Sequence, residues 1–380
     1  MGETKRRLFF LDNLKSFTVC LMIVFHVALC YMAYAPEWWY TVDKGDPQLS
    51  FTMFVMWADI FIMPVMFFVS GYFGLMSLAR QSDGRFWKSK LIRIIIPWIA
   101  GVIILAPPVT YIMFASRGVP LAYYPDYLIN VFLFGPCFSH VQYWYLGVLT
   151  YLYAALYVFC KIRPSFRERL PISMPGKKLF AGFAALCYVC TVAAYFYADG
   201  NNDLWTFVWP LLVLQPTRIS FYPLYFFLGA YAWRHQWFVE GGYRADTAKW
   251  LPAFIVTGIA YVFYCLFGAP MAASMEQYII IKSALHVLFL LCAVFALLAV
   301  FQSQMDYTNK FLGELAANSY NMYYTHMGLV MLIAWFFVQF GWNVYIKYVL
   351  VCVLSLSASY ITGKMLMILP CFSVGKKAKG

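Results

Sequence analysis

Charge is what this chain has least of. Asp, Glu, Lys and Arg together make up 12% of its 380 residues, and only 16 residues are acidic. A soluble domain normally carries about twice that share, so a water-facing fold is excluded for the bulk of the chain. Histidine is also scarce, with five in all. No pairing of His with Cys has the spacing of a zinc site, so no metal is expected. The ten cysteines sit mostly inside apolar runs and form no disulfide framework. Cys187 and Cys190 read as small apolar fillers one turn apart. No internal repeat is visible, and no Ser/Gly/Pro-rich linker marks off a second domain.

What fills the chain instead is apolar surface: 63% of residues are hydrophobic and mean hydropathy is +0.69. A helix crosses a bilayer core of about 30 Å with roughly 20 residues. Ten runs meet that need, approximately 14–35, 52–79, 93–115, 143–162, 179–198, 219–235, 250–268, 278–301, 312–337 and 344–367. The first is too long for a signal peptide, and no small-residue cleavage site follows it, so it reads as a retained span. The expectation is an all-α polytopic membrane protein of about ten transmembrane helices. It forms one membrane domain over residues 1–380, with no attached soluble enzyme. Two further apolar runs, 127–138 and 204–216, are too short to span and carry Pro136, Pro210 and Pro216. They read as re-entrant or surface segments lining a cavity.

A net charge of +12 raises the question of nucleic acid, but the cations follow topology rather than a patch. With the amino terminus placed in the cytoplasm, 23 of the 28 Lys and Arg residues fall on that side, leaving only Lys44, Arg117, Arg218, Lys282 and Lys347 opposite. This positive-inside pattern predicts both termini in the cytoplasm, a lipid bilayer as partner and no nucleic acid. The opposite loops hold Glu37-Trp38-Trp39-Tyr40 and Asp199-Gly200-Asn201-Asn202-Asp203. Their aromatics read chiefly as interfacial anchors.

Polar residues inside the runs are the functional candidates. Lys15 and His26 lie eleven residues apart, close to three helical turns, so they share a face about 16 Å apart along the axis. A histidine near mid-membrane marks a functional site by default, and a neutral imidazole is a competent general base. His326 lies mid-span in the ninth run and His286 in the eighth. For both, an interhelical hydrogen bond weighs as much as a functional role. His140 and His235 lie at run ends. A second cluster joins Phe67-Phe68-Val69-Ser70-Gly71-Tyr72 to Lys90-Leu91-Ile92-Arg93 at a helix start. Ser70-Gly71 permits a close helix approach or a break. Lys90 and Arg93, as i, i+3 neighbours, read equally as positive-inside determinants, as lipid-phosphate contacts, or as the site of a phosphorylated cytosolic ligand. Asp59 and Arg218 read as a structural pair or as groups that orient a substrate.

These blocks occur in one order: Leu11-Asp12-Asn13-Leu14-Lys15, then His26, then Phe67 to Tyr72, then Lys90-x-x-Arg93 before Ile and Pro97. Trp144-Tyr145-Leu146, Phe226-Phe227-Leu228-Gly229-Ala230 and the run from Ser319 and Tyr320 to Tyr324-Thr325-His326 follow. Together they resemble acyltransferase family 3 of bacterial membrane proteins over nearly the whole chain. The resemblance implies about ten helices in the bacterial plasma membrane. It also implies transfer of an acyl group, usually acetyl, from cytosolic acyl-CoA to a hydroxyl of an extracytoplasmic glycan, a carbohydrate acceptor. Carried over, His26 is the catalytic base, and Lys15, Lys90 and Arg93 bind the donor. Asp12, Ser70, Tyr72, Trp144, Tyr324 and His326 take substrate-binding or supporting positions. Lys15 and Lys90 stand where arginine is commoner in the family, and a lysine holds phosphate as a point charge rather than a fork. A secondary transporter or exporter using the same cavity is the alternative. The chain has no inverted repeat or paired broken helices to support it.

Overall fold

A segment crossing hydrocarbon must satisfy its own backbone polar groups, and a long apolar helix does so. The computed structural model describes residues 7–34, 41–201, 204–208 and 211–373. Residues 37–40, 202 and 203, and the lysines of the tail beyond Ser373, lie outside them. Among the described residues, nine helices are long and apolar enough to cross a membrane. They are α1 (Phe9–Leu29), α2 (Leu49–Arg80), α3 (Asp83–Ser116), α4 (Val141–Ile162), α5 (Lys177–Tyr197), α7 (Thr247–Phe267), α8 (Met275–Gln304), α9 (Lys310–Val338) and α10 (Val344–Leu366). Buried hydroxyls follow the same rule: Thr18 and Thr191 each bond the carbonyl four residues back, which hides the hydroxyl inside its own helix.

The run expected over 219–235 differs. It forms α6 (Tyr222–Arg234), 13 residues long, which at about 1.5 Å per residue reaches roughly 20 Å and falls short of a bilayer core. Pro216 and Pro223 set the break, because neither can donate to a helix continued from upstream. The shortfall is made up by a hairpin of β1 (Thr206–Val208) and β2 (Leu212–Leu214), paired antiparallel with Phe207 opposite Val213, and by a single turn over Pro216–Ile219. Irregular backbone of this kind is tolerated where it lines a cavity, and Trp205, Gln215 and Arg218 do line one. The other short run, 127–138, is largely a helical segment over 124–133. Its Tyr127 hydroxyl donates to Thr110 of α3 at 3.0 Å.

Both described chain ends, Arg7 and Ser373, line the same cavity. That end also holds the cationic network in which Asp83 meets Lys161 at 2.7 Å and Arg167 at 2.9 Å. At the opposite end, Lys347 at the start of α10 pairs with Asp43 of the first loop at 2.6 Å. Both of those side chains are buried, so breaking the pair would strand a charge.

The helices that position the site are held by small residues and amides. Gly71 of α2 and Gly229 of α6 lie in one crossing. A Cβ on Gly71 would overlap the Phe226 carbonyl, and one on Gly229 would overlap that of Phe68. Backbone-to-backbone packing of this kind replaces the hydrophobic drive that lipid cannot supply. Asn318 and Asn321 of α9 donate to the Tyr360 and Gly363 carbonyls of α10 at 2.8 and 3.0 Å. Asn13 of α1 donates to the Met305 and Tyr307 carbonyls, fixing α1 to the α8–α9 turn. Replacing Gly229 by valine is expected to cost about 1–3 kcal/mol or more by overpacking. This would be read as a lower melting temperature in detergent; an unchanged melting temperature would show that the crossing is looser than described.

Candidate functional site

Helix α1 runs beside two cavities. Met22, Phe25, His26, Leu29 and Met32 line one of about 570 Å³, here the outer cavity, toward the end opposite the cations. Arg7, Asp12, Lys15 and Val19 line one of about 460 Å³, the inner cavity, at the basic end. Lys15 and His26, placed on one face by their spacing, therefore serve different chambers. Tyr145 and Tyr323 line both, their rings edge to face at 5.7 Å, and form the common wall. Ser70 lines the inner cavity and shares a 2.8 Å hydrogen bond with the Tyr145 hydroxyl.

His26 is held by His326 of α9. His326 Nε2 and His26 Nδ1 lie 3.1 Å apart, and His326 Nδ1 lies 2.6 Å from the Tyr323 carbonyl. A carbonyl only accepts, so His326 Nδ1 carries a proton. A buried imidazolium needs a counter-charge, and the two nitrogens of His326 meet a carbonyl and another imidazole. In the neutral pair His326 Nε2 accepts, His26 Nδ1 donates, and the basic lone pair of His26 is therefore on Nε2. His326 is fully buried, whereas His26 lines the outer cavity. One histidine thus sets the tautomer of the other.

The inner cavity is cationic. Among the described lining residues, Arg7, Lys15 and Arg93 stand against a single carboxylate, Asp12, which Arg7 pairs at 2.8 Å. Arg93 owes its place to a defect in α3. Pro97, four residues on, has no N–H to offer the Arg93 carbonyl. The helix widens into a π turn over Leu91–Ile95, and the Tyr320 hydroxyl of α9 donates to that carbonyl at 2.8 Å. Tyr324, one turn further along α9, donates to the Pro97 carbonyl at 3.0 Å. After α10 the chain turns back so that Cys371, Phe372 and Ser373 close part of the chamber, with Phe372 against the Tyr324 ring at 4.6 Å.

The structure brings Lys15, Asp12, Ser70 and Arg93 to the inner cavity and His26 and Trp144 to the outer one. His326 stands directly behind His26. Three expected positions lie elsewhere. Lys90 is not on the cavity lining; its ammonium sits over the Tyr153 ring at 3.8 Å, because the wide π turn takes Arg93 off the face that an α-helix would share with it. Tyr72 is packed in the core against Phe238. Tyr324 is a strut, donating to Pro97 and accepting from Tyr143 at 2.9 Å. Asp59 and Arg218 pair directly and both line the outer cavity. His286 meets the Tyr195 hydroxyl at 3.1 Å, and His235 meets Ser173 at 2.7 Å. Sequence reasoning placed Tyr145, Tyr320 and Tyr323 inside motif blocks but gave them no role at the site. The spacing of Tyr320 and Tyr324 against that of Arg93 and Pro97, four residues in both helices, was the available signal. Tyr320→Phe is expected to leave the Arg93 carbonyl without that donor and to cost about 1–3 kcal/mol. Thermal unfolding would check this, and full stability would contradict the strut.

Residues 8–364 match the family model described as an acyltransferase domain. Curated relatives include "Glucans biosynthesis protein C" of Escherichia coli O1:K1 / APEC, of strain E24377A (O139:H28, ETEC) and of strain HS (O9:H4). Each is 32% identical over 103 residues, which is 27% of this chain and 26% of the relative. The matched stretch thus spans about a quarter of these relatives' length. No solved structure matches the chain. With the family match running from α1 into α10, nearly the whole chain, the chain belongs to acyltransferase family 3, the family of multi-pass membrane acyltransferases.

Proposed function

We propose that the chain moves an acetyl group from cytosolic acetyl-CoA, held in the inner cavity, to a hydroxyl of an extracytoplasmic glycan held in the outer cavity, with His26 as general base. The observation that carries this reading is the shared wall: one cationic chamber and one His26-lined chamber that meet at Tyr145 and Tyr323. The positive-inside rule puts the basic end, and both termini, in the cytoplasm of a bacterial plasma membrane. Lys15 and Arg93 hold the donor's phosphates by charge, and Arg93 does so as a fork. Lys90, seated on Tyr153, supports the inner wall instead.

The chemistry needs one base. His26 Nε2 takes the acceptor hydroxyl proton as the oxygen adds to the thioester carbonyl. The carbon–sulfur bond then breaks, and the proton passes from His26 to the departing thiolate. The products are an ester and free CoA. His326 holds the His26 ring and its tautomer through that cycle, a positioning role.

His26→Ala is expected to lower acetyl transfer by about 10²–10⁴ while leaving acetyl-CoA binding intact. Full activity in that variant would overturn the mechanism. Arg93→Ala is expected to raise KM for acetyl-CoA about tenfold, as loss of a charge-assisted contact would, with Lys90→Ala near wild type. The reverse order would return the donor site to Lys90. A glycan bound with no consumption of acetyl-CoA would favour the exporter reading.

A further inference from the structure

We infer that the Asp59–Arg218 pair is the acceptor-holding element of the outer cavity and that it takes an uncharged sugar ring. The inference rests on the acyl-transfer reading above. Asp59 comes from α2 and Arg218 from the turn after the β-hairpin, and the two are in direct contact on the wall of the chamber that His26 lines. Among the described lining residues they are the only carboxylate and the only permanent cation.

Their pairing leaves the chamber without net charge but with strong polarity. The contact joins Arg218 Nη1 to Asp59 Oδ2, and the Asp59 and Arg218 side chains keep 28% and 14% of their surface. A hydroxyl both donates and accepts. Two neighbouring hydroxyls can therefore answer a carboxylate and a guanidinium together, each through a charge-assisted bond. A charged ligand would lose its hydration in a chamber whose paired lining supplies no net counter-charge, whereas a neutral sugar would not bear that cost. Beside the pair stand Trp144 and Tyr222, their rings stacked 5.5 Å apart at 22°. Tyr222 is buried and stacked on Phe67 as well as on Trp144, so the half-buried Trp144 is the ring that offers a flat apolar face to the C–H side of a pyranose, while the pair addresses its hydroxyl edge. Few polar groups on an aromatic wall is the usual make-up of a small-molecule site. As a structural tie alone, an ion pair is a poor source of stability.

The test uses the full chain in lipid nanodiscs, with melting temperature and acetyl-CoA consumption both measured. The probes are neutral laminaritetraose, maltotetraose and cellotetraose, and the anionic tetragalacturonate. At least one neutral tetrasaccharide is expected to stabilise the protein at a concentration about tenfold below that needed for the anionic probe. Stabilisation by none of the neutral probes, or equally by the anionic one, would overturn the inference. Arg218→Lys and Asp59→Asn are expected to weaken sugar binding about tenfold, with the acetyl-CoA response unchanged and Asp59→Glu recovering part of the loss. Equal loss of the sugar and acetyl-CoA responses would assign the pair a purely structural role. Acetyl-CoA consumption without sugar binding would sink this inference alone. Sugar binding without acetyl-CoA consumption would sink the transfer reading instead.

Discussion

The hydrogen bond between His326 Nε2 and His26 Nδ1, 3.1 Å long, fixes the tautomer of His26, the proposed base. It exists because Tyr323, one turn back along α9, takes the other nitrogen of His326 with its carbonyl. Three residues on two helices thus decide which nitrogen of His26 bears the lone pair. That decision needs α1 and α9 at fixed spacing. Asn13 supplies it by bonding the turn that leads into α9, and Asn318 and Asn321 extend it to α10.

A second constraint is that hydrocarbon forgives no unpaired backbone group. Where α3 carries Pro97, the chain does not hide the defect in a plain kink. It opens a π turn and recruits Tyr320. The same device brings Arg93 onto the inner cavity, so a repair of the helix also places a charge. At the opposite end the short α6 leaves room for the hairpin over 206–214, and the outer cavity takes its wall from that irregular backbone. Both chambers therefore sit where the regular helix pattern fails, as expected of sites built at local departures from ideal structure.

This also explains what was legible in the sequence. Nine long runs, the basic end, His26 with Lys15, and the close approach at Gly71 follow from length, charge and residue size. The run over 219–235 is one regular helix only over Tyr222–Arg234, and apolar composition does not say where a proline will stop the helix. Lys90 and Arg93 send their side chains to different places, Lys90 over the Tyr153 ring and Arg93 to the inner cavity: i, i+3 spacing assumes an α-helix, and the π turn breaks that shared face. Tyr145 and Tyr323, which divide the two chambers, look like any membrane aromatics until α4 and α9 are brought together. The His26–His326 contact joins residues 300 positions apart, and no local pattern announces it.

The central claim is that donor and base meet across the Tyr145–Tyr323 wall. The most direct measurement is an experimental structure of the chain bound to a non-transferable acetyl-CoA analogue in which a methylene replaces the thioester sulfur. The account predicts its phosphates among Lys15 and Arg93, its arm passing Tyr145, and its carbonyl beside His26. Phosphates bound away from Lys15 and Arg93, or an arm that ends short of the tyrosine wall with the carbonyl remote from His26, would contradict it.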